Sequence, residues 1–141
     1  MRIHIFPAVL AAVLISSTCG ADGVSINPGM WEMTSSMTMT MLPQPQSNTV
    51  RECIEEDELS PEKFDMEKDS PCKISDVNID GDTARWSINC PTEAGQEMTG
   101  QWEFTSLGDS ISGSGSMSME YAGQKFGFDM TWVGKRIGDC K

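Results

Sequence analysis

Cys72-Lys73-Ile74-Ser75-Asp76-Val77-Asn78-Ile79-Asp80-Gly81-Asp82-Thr83-Ala84-Arg85-Trp86-Ser87-Ile88-Asn89-Cys90 is the stretch whose reading decides the fold. Apolar and polar residues alternate on both sides of Asp80-Gly81-Asp82, as in strands with one buried face, and Asp-Gly between alternating segments signals a hairpin. The alternation predicts strands over Lys73 to Ile79 and Thr83 to Asn89. A three-residue loop would pair Ile79 with Thr83, Ile74 with Ile88 and Cys72 with Cys90. Cross-strand neighbours lie close enough to be bridged. The register therefore predicts a Cys72–Cys90 disulfide and leaves Cys53 for Cys140, one of the three connectivities that four cysteines allow.

The period of two continues on either side. Upstream, Trp31, Met33, Met37, Met39 and Met41 share a face interrupted by Ser35, while Glu32, Thr34, Ser36, Thr38 and Thr40 take the other. Leu42-Pro43-Gln44-Pro45-Gln46 reads as a break, since proline cannot donate to a ladder, followed by a short strand over Asn48 to Ile54. Ser60-Pro61 reads as an N-cap with proline at the first helical position, opening one short helix, about Pro61 to Glu67, packed through Phe64 and Met66. Downstream, Met98, Gly100, Trp102 and Phe104 share a face, then Ile111, Gly113, Gly115, Met117, Met119 and Tyr121, then Phe126, Phe128, Met130 and Trp132. Leu107-Gly108-Asp109 and Ala122-Gly123 are turns short enough to make these strands antiparallel neighbours.

About seven strands, each with one apolar face, must curl around that face, and one short helix cannot cover them. The expected fold is all-β: a strongly curved antiparallel meander or up-and-down β-barrel with one short helix and two disulfides. Gly113 and Gly115 mark a bend or a place where bulky neighbours need room, and they would free a little interior space.

The chain of 141 residues opens with Arg2 and His4, an apolar run from Ile5 to Ile15 and the small residues Ser16, Ser17 and Thr18. Basic, then apolar, then small is the order of a secretory signal peptide. Cleavage after Ala21 would make residues 1–21 the leader and 22–141 a single disulfide-stapled domain. The competing route makes Cys19 a lipid-anchored N-terminus and accounts for a fifth cysteine. Simple cleavage is favoured, because Ser16-Ser17-Thr18 lacks the Leu-Ala-Gly character of a lipobox. No later stretch is apolar enough to span a membrane. The formal charge is −11, and the leader holds one basic residue, Arg2, and no acidic one, so the mature chain is more acidic still. Nucleic-acid binding needs clustered Lys and Arg and is excluded on that ground.

Pro28-Gly29-Met30-Trp31-Glu32 near the start and Arg136-Ile137-Gly138-Asp139-Cys140 at the end frame this domain. Between them fall a Met-rich, Pro-bearing segment, Cys53 before an acidic stretch, Cys72-Lys73, and Trp86 four residues before Cys90. In this order they resemble a bacterial family of small exported envelope proteins, domain of unknown function 3617. The resemblance implies export and the disulfide frame, and it supplies no activity or catalytic residue.

The only histidine, His4, belongs to the leader, which removes Ser-His-Asp and Cys-His catalysis and most zinc sites from the mature chain. Ser60-Pro61-Glu62-Lys63 matches Ser-x-x-Lys, but the companion motifs of penicillin-binding enzymes are absent and Ser60 reads as a helix cap. Asp76 to Gly81 copies the first half of a calcium loop, yet its twelfth position is Ser87 and its flanks alternate as strands. Glu55, Glu56 and Glu58 read as a solvated acidic face.

The expectation is therefore a non-enzymatic binding or structural module without a cofactor, with room for a small apolar ligand lined by Met37, Met39, Trp102, Met117, Met119, Phe128 and Met130. One alternative is a Cu(I) site of the thioethers Met37, Met39, Met41, Met117 and Met119, since soft sulfur suits that ion. Another is an acidic interaction or inhibitor module whose protein partner is not identified by sequence. The expected location is the periplasm of a Gram-negative bacterium, with anchoring to the outer membrane through Cys19 as the alternative.

Overall fold

The computed structural model describes residues 22–63 and 70–141. The predicted leader, Cys19, and the part of the predicted helix bearing Phe64 and Met66 lie outside the described residues. The strands are β1 (Val24–Ser25), β2 (Gly29–Met39), β3 (Leu42–Ile54), β4 (Glu58–Leu59), β5 (Lys73–Asp80), β6 (Thr83–Pro91), β7 (Glu97–Ser106), β8 (Ser110–Tyr121) and β9 (Gln124–Gly138). Among the described residues the one helical element is a 3-10 turn, Pro61–Lys63, in place of the first turn of the expected helix. The Lys63 amide donates to the Ser60 carbonyl at 3.0 Å, the i to i+3 bond of that tighter coil.

Seven strands form one antiparallel sheet in the order β3-β2-β9-β8-β7-β6-β5, and β1 pairs with β4 in a second, two-stranded sheet. The all-β fold with two disulfides stands, but the sheet is neither a plain meander nor a closed barrel. The first long strand, β2, pairs with the last, β9, which is the contact an up-and-down barrel uses to close. The ring is instead open between β3 and β5, consecutive long strands that remain unpaired edges.

Two features explain the open seam. After β4, the 3-10 turn Pro61–Lys63 packs on β5 and β6, on the β5 side of the opening. The β5 edge is also kinked by a bulge. Asp76 and Val77 together oppose the single residue Trp86, and Asp76 takes a φ of 53°. A bulge twists an edge away from further pairing.

That bulge corrects the expected hairpin. Asp80 pairs with Thr83 and Ile79 with Ala84, so the loop is the two-residue Gly81-Asp82 rather than three residues, with Gly81 at φ 57° in the first central position. The extra residue at Asp76-Val77 then shifts the register by one. Ile74 faces Ile88 as expected, and Cys72 meets Cys90 in a disulfide.

The proline segment is also corrected. Leu42 to Gln46 does not break the strand but begins β3, which runs unbroken to Ile54. Proline is tolerated there because β3 is an edge, paired only with β2, and an edge strand has one side with no ladder to feed. Met41 lies in the turn before it, 77% exposed, and so drops off the strand face it was expected to share.

Inward-facing residues make a core at one end of the open ring. Trp31, Ala84, Trp86, Phe104 and Ile111 are buried together with Val24 and Ile26, which come from the N-terminal segment and plug that end. Trp31 is wholly buried, and its indole N–H donates to the Asn27 carbonyl at 3.0 Å. The hydrogen bond offsets the desolvation of the buried N–H, so the ring's apolar area contributes to stability. Ser106 is buried as well, and its hydroxyl donates to the Ser25 carbonyl at 2.6 Å, tying β1 to β7. The opposite, outward face carries polar cross-strand pairs such as Thr34 with Thr49 and Arg51 with Glu32, each 2.9 Å apart.

Candidate functional site

Beyond that core the inner face is not filled. A cavity of about 710 Å³ lies along the concave side of the sheet. Val50 and Glu52 from one edge strand and Ile74 from the other line it, so the sheet curves around it. Its volume is in the range of about 300 to 1,000 Å³ typical of small-ligand sites. The walls are apolar. Met33 comes from β2, Trp86 and Ile88 from β6, Trp102 from β7, Ile111 and Met117 from β8, and Phe128, Met130 and Trp132 from β9. Glu56, Leu59, Pro61 and Lys63, from the chain that follows β3, complete one side.

Strand register dictates this wall. Trp86 faces Trp102 across β6 and β7, Trp102 faces Gly115, and Gly113 faces Trp132 across β8 and β9. A Cβ on Gly115 would fall inside the Trp102 ring, and one on Gly113 inside the Trp132 ring. The space the two glycines leave is therefore taken by indoles and is not free volume, contrary to the expectation that they enlarge the interior. Gly100 and Gly134 play the same part, under Met117 and under Met33 with Ile111. The indole Nε1 of Trp102 is a buried donor with no partner among the described residues.

Of the seven expected lining residues, Trp102, Met117, Phe128 and Met130 are on the cavity wall. Met37, Met39 and Met119 are opposite Met130, Phe128 and Phe126 on the same inner face but do not line the cavity. The Cu(I) candidates are split the same way, with Met117 on the wall and Met41 in the exposed turn. Trp132, Trp86, Met33, Ile74, Ile88 and Glu52 line the cavity without having been singled out for it. Their strand alternation already placed Trp132 and Met33 on the right face; which part of that face stays open depends on where the N-terminal plug ends.

The other sequence candidates find structural places. Ser60 is buried, 5% exposed, at the start of the 3-10 turn. The stretch from Asp76 to Gly81 is bulge and hairpin, with strands on both sides.

The residues at the two ends of the domain interlock. Arg136 Nε donates to the Pro28 carbonyl at 2.8 Å, and the guanidinium lies where a Cβ on Gly29 would be. Trp31 sits opposite Arg136 on β9, and Met30 opposite both Cys53 and Gly138. Cys53 is disulfide-bonded to Cys140, across a sequence separation of 87. This clasp joins β3 to the end of β9, the strands on either side of β2, and through Cys53 it borders the cavity. Two formed disulfides point to an oxidising compartment. No helix among the described residues is long and apolar enough to cross a membrane.

No curated protein and no solved structure matches the chain. A family model described as a protein of unknown function (DUF3617) matches residues 26–140, a span that begins at the buried Ile26 of the plug and ends on the disulfide of the clasp. The chain thus belongs to the DUF3617 family.

Proposed function

We propose that this protein is an exported, non-enzymatic binding module that holds a small apolar ligand against the concave face of its open sheet. One observation carries the reading: an apolar cavity of about 710 Å³ persists beside a well-packed core, walled by Trp86, Trp102 and Trp132. A domain of this size gains stability from each apolar contact, so an unfilled apolar wall is costly unless a ligand covers it. The seam between β3 and β5 supplies an entry that a closed barrel would lack. The disulfides and the leader order support a periplasmic location.

Native mass spectrometry of the protein purified from its own cell envelope tests this. A copurified organic adduct that is lost on unfolding is expected. The bare chain in every preparation, together with no tryptophan response to any alkyl probe, would overturn it.

A second reading, Cu(I) held by thioethers, draws support from Met37 standing directly opposite Met130 across β2 and β9. Titration with Cu(I) against a competing chelator tests it, and affinity no tighter than micromolar rules it out.

A further inference from the structure

We infer that the ligand is a cationic amphiphile, an aliphatic or aromatic body carrying an ammonium head, with the body on the tryptophan wall and the head at the β3 rim. This rests on the binding reading above. The charged groups that line the cavity, Glu52, Glu56 and Lys63, all come from one stretch of chain, the end of β3 and the link that follows it. The rest of the wall is almost wholly apolar, so a ligand with a charge must place it at this rim.

The sign of the rim decides which charge. Two carboxylates outnumber one ammonium, and none of the three groups has an ion-pair or side-chain hydrogen-bond partner among the described residues. Lys63 follows Glu55, Glu56, Asp57, Glu58 and Glu62 in the sequence, so its single charge sits in an acidic run. The chain as a whole carries −11, a field that steers cations in and holds anions off. The wall itself is uncharged, and Trp86, Trp102 and Trp132 offer the body of the ligand apolar and aromatic surface without competing for its head.

An inward carboxylate on an edge strand can serve only to discourage sheet-to-sheet pairing, which would account for Glu52. It does not account for Glu56, which lies past the strand end and lines the same cavity.

The test uses the oxidised mature domain and three probes of equal chain length below their micellar concentrations: decyltrimethylammonium, decyl sulfate and decyl glucoside. Binding is read by calorimetry and tryptophan fluorescence, with circular dichroism checking that the fold is kept. The ammonium probe is expected to bind roughly five- to tenfold tighter than the glucoside at low salt, and tighter still than the sulfate. The double variant Glu52→Gln/Glu56→Gln, both positions exposed, should remove most of that preference while the glucoside affinity holds. Equal or tighter binding of decyl sulfate or decyl glucoside overturns the inference and leaves the apolar-ligand reading standing. Failure of all three probes to bind overturns both.

Discussion

Trp102 and Trp132 meet over a strand that contributes no side chain between them. They project from β7 and β9, on either side of β8, yet their ring centroids are 5.5 Å apart with an interplanar angle of 37°. Adjacent strands lie about 4.8 Å apart, so side chains two strands apart would ordinarily be separated by the one between. Gly113 and Gly115 remove that obstacle, and each indole lies over the glycine opposite it. The aromatic wall of the cavity is thus made by two absences in β8.

Adding one methyl group there should break the arrangement. Gly115→Ala places a Cβ within the Trp102 ring, and a rigid indole can yield only by swinging off the wall. Overpacking of this kind costs about 1 to 3 kcal/mol. Ser114→Ala, on the outward face between the two glycines, should change stability by less than about 0.5 kcal/mol. Denaturant titration of both variants checks the contrast, and equal effects would mean that the glycines are not there for the indoles.

Arg136 should prove structural despite its place in a terminal signature. Its side chain is 27% exposed and it holds the Pro28 carbonyl, whereas its ion-pair partner Asp139 is 92% exposed. Arg136→Ala gives the Pro28 carbonyl up to water and uncovers the buried Gly29, at a cost of roughly 1 kcal/mol. Asp139→Asn should cost under about 0.5 kcal/mol, since exposed ion pairs contribute little. Hydrogen exchange at residues 26–30 should quicken in the first variant only, while probe binding at the cavity stays as in the parent.

Much of this was legible in the sequence, for a physical reason. Alternation of period two survives wherever one face of a strand is buried, so the inner faces of β2, β7, β8 and β9 could be read directly, and so could the Cys72–Cys90 pairing. What escaped was set by non-local facts. Proline in Leu42 to Gln46 breaks a central strand but not an edge, and only the sheet order shows that β3 is an edge. The two-residue strands β1 and β4 are too short to show any period. A bulge at Asp76-Val77 cancelled the error in loop length at Gly81-Asp82, so a correct disulfide followed from a wrong turn. Of the site, the face was legible and its extent was not, because Val24 and Ile26 decide how much of that face is covered.

The two disulfides should differ in worth according to the loops they close. Cys53–Cys140 spans a separation of 87 and Cys72–Cys90 one of 18. In the chain-entropy model these correspond to about 4.5 and about 3 kcal/mol. Paired serine variants, Cys53→Ser/Cys140→Ser and Cys72→Ser/Cys90→Ser, compared by chemical denaturation, should fall in that order. The reverse order would show that holding the β5 edge in place matters more than restricting the unfolded chain.

Ala122 is a position where the protein can be improved. It makes the two-residue turn between Tyr121 and Gln124 with Gly123, and both residues have positive φ, 50° and 77°. Such a turn suits Asn-Gly, while an alanine in the left-handed region carries a steric penalty. Ala122→Asn should raise stability by about 0.5 to 1 kcal/mol, visible as a higher melting temperature with unchanged probe binding.

Phe in place of each of two tryptophans should separate packing from hydrogen bonding. Trp31 is wholly buried and its N–H is bonded to the Asn27 carbonyl, so Trp31→Phe loses ring area, leaves a void and strands an acceptor. A cost of roughly 2 kcal/mol or more follows. Trp102→Phe also loses area, but it removes a buried donor that has no partner among the described residues, and that desolvation cost, on the order of 1 to 3 kcal/mol, is recovered. Its net effect on the unliganded protein should be under about 1 kcal/mol. Because Trp102 lines the cavity and Trp31 does not, the milder substitution should weaken an ammonium probe and the harsher one should leave its affinity unchanged in the molecules that remain folded. Thermal melts and calorimetric titrations of the same two samples would show stability and binding moving in opposite order; if both quantities fall together at Trp31, the cavity and the core are one unit and the wall has no independent role.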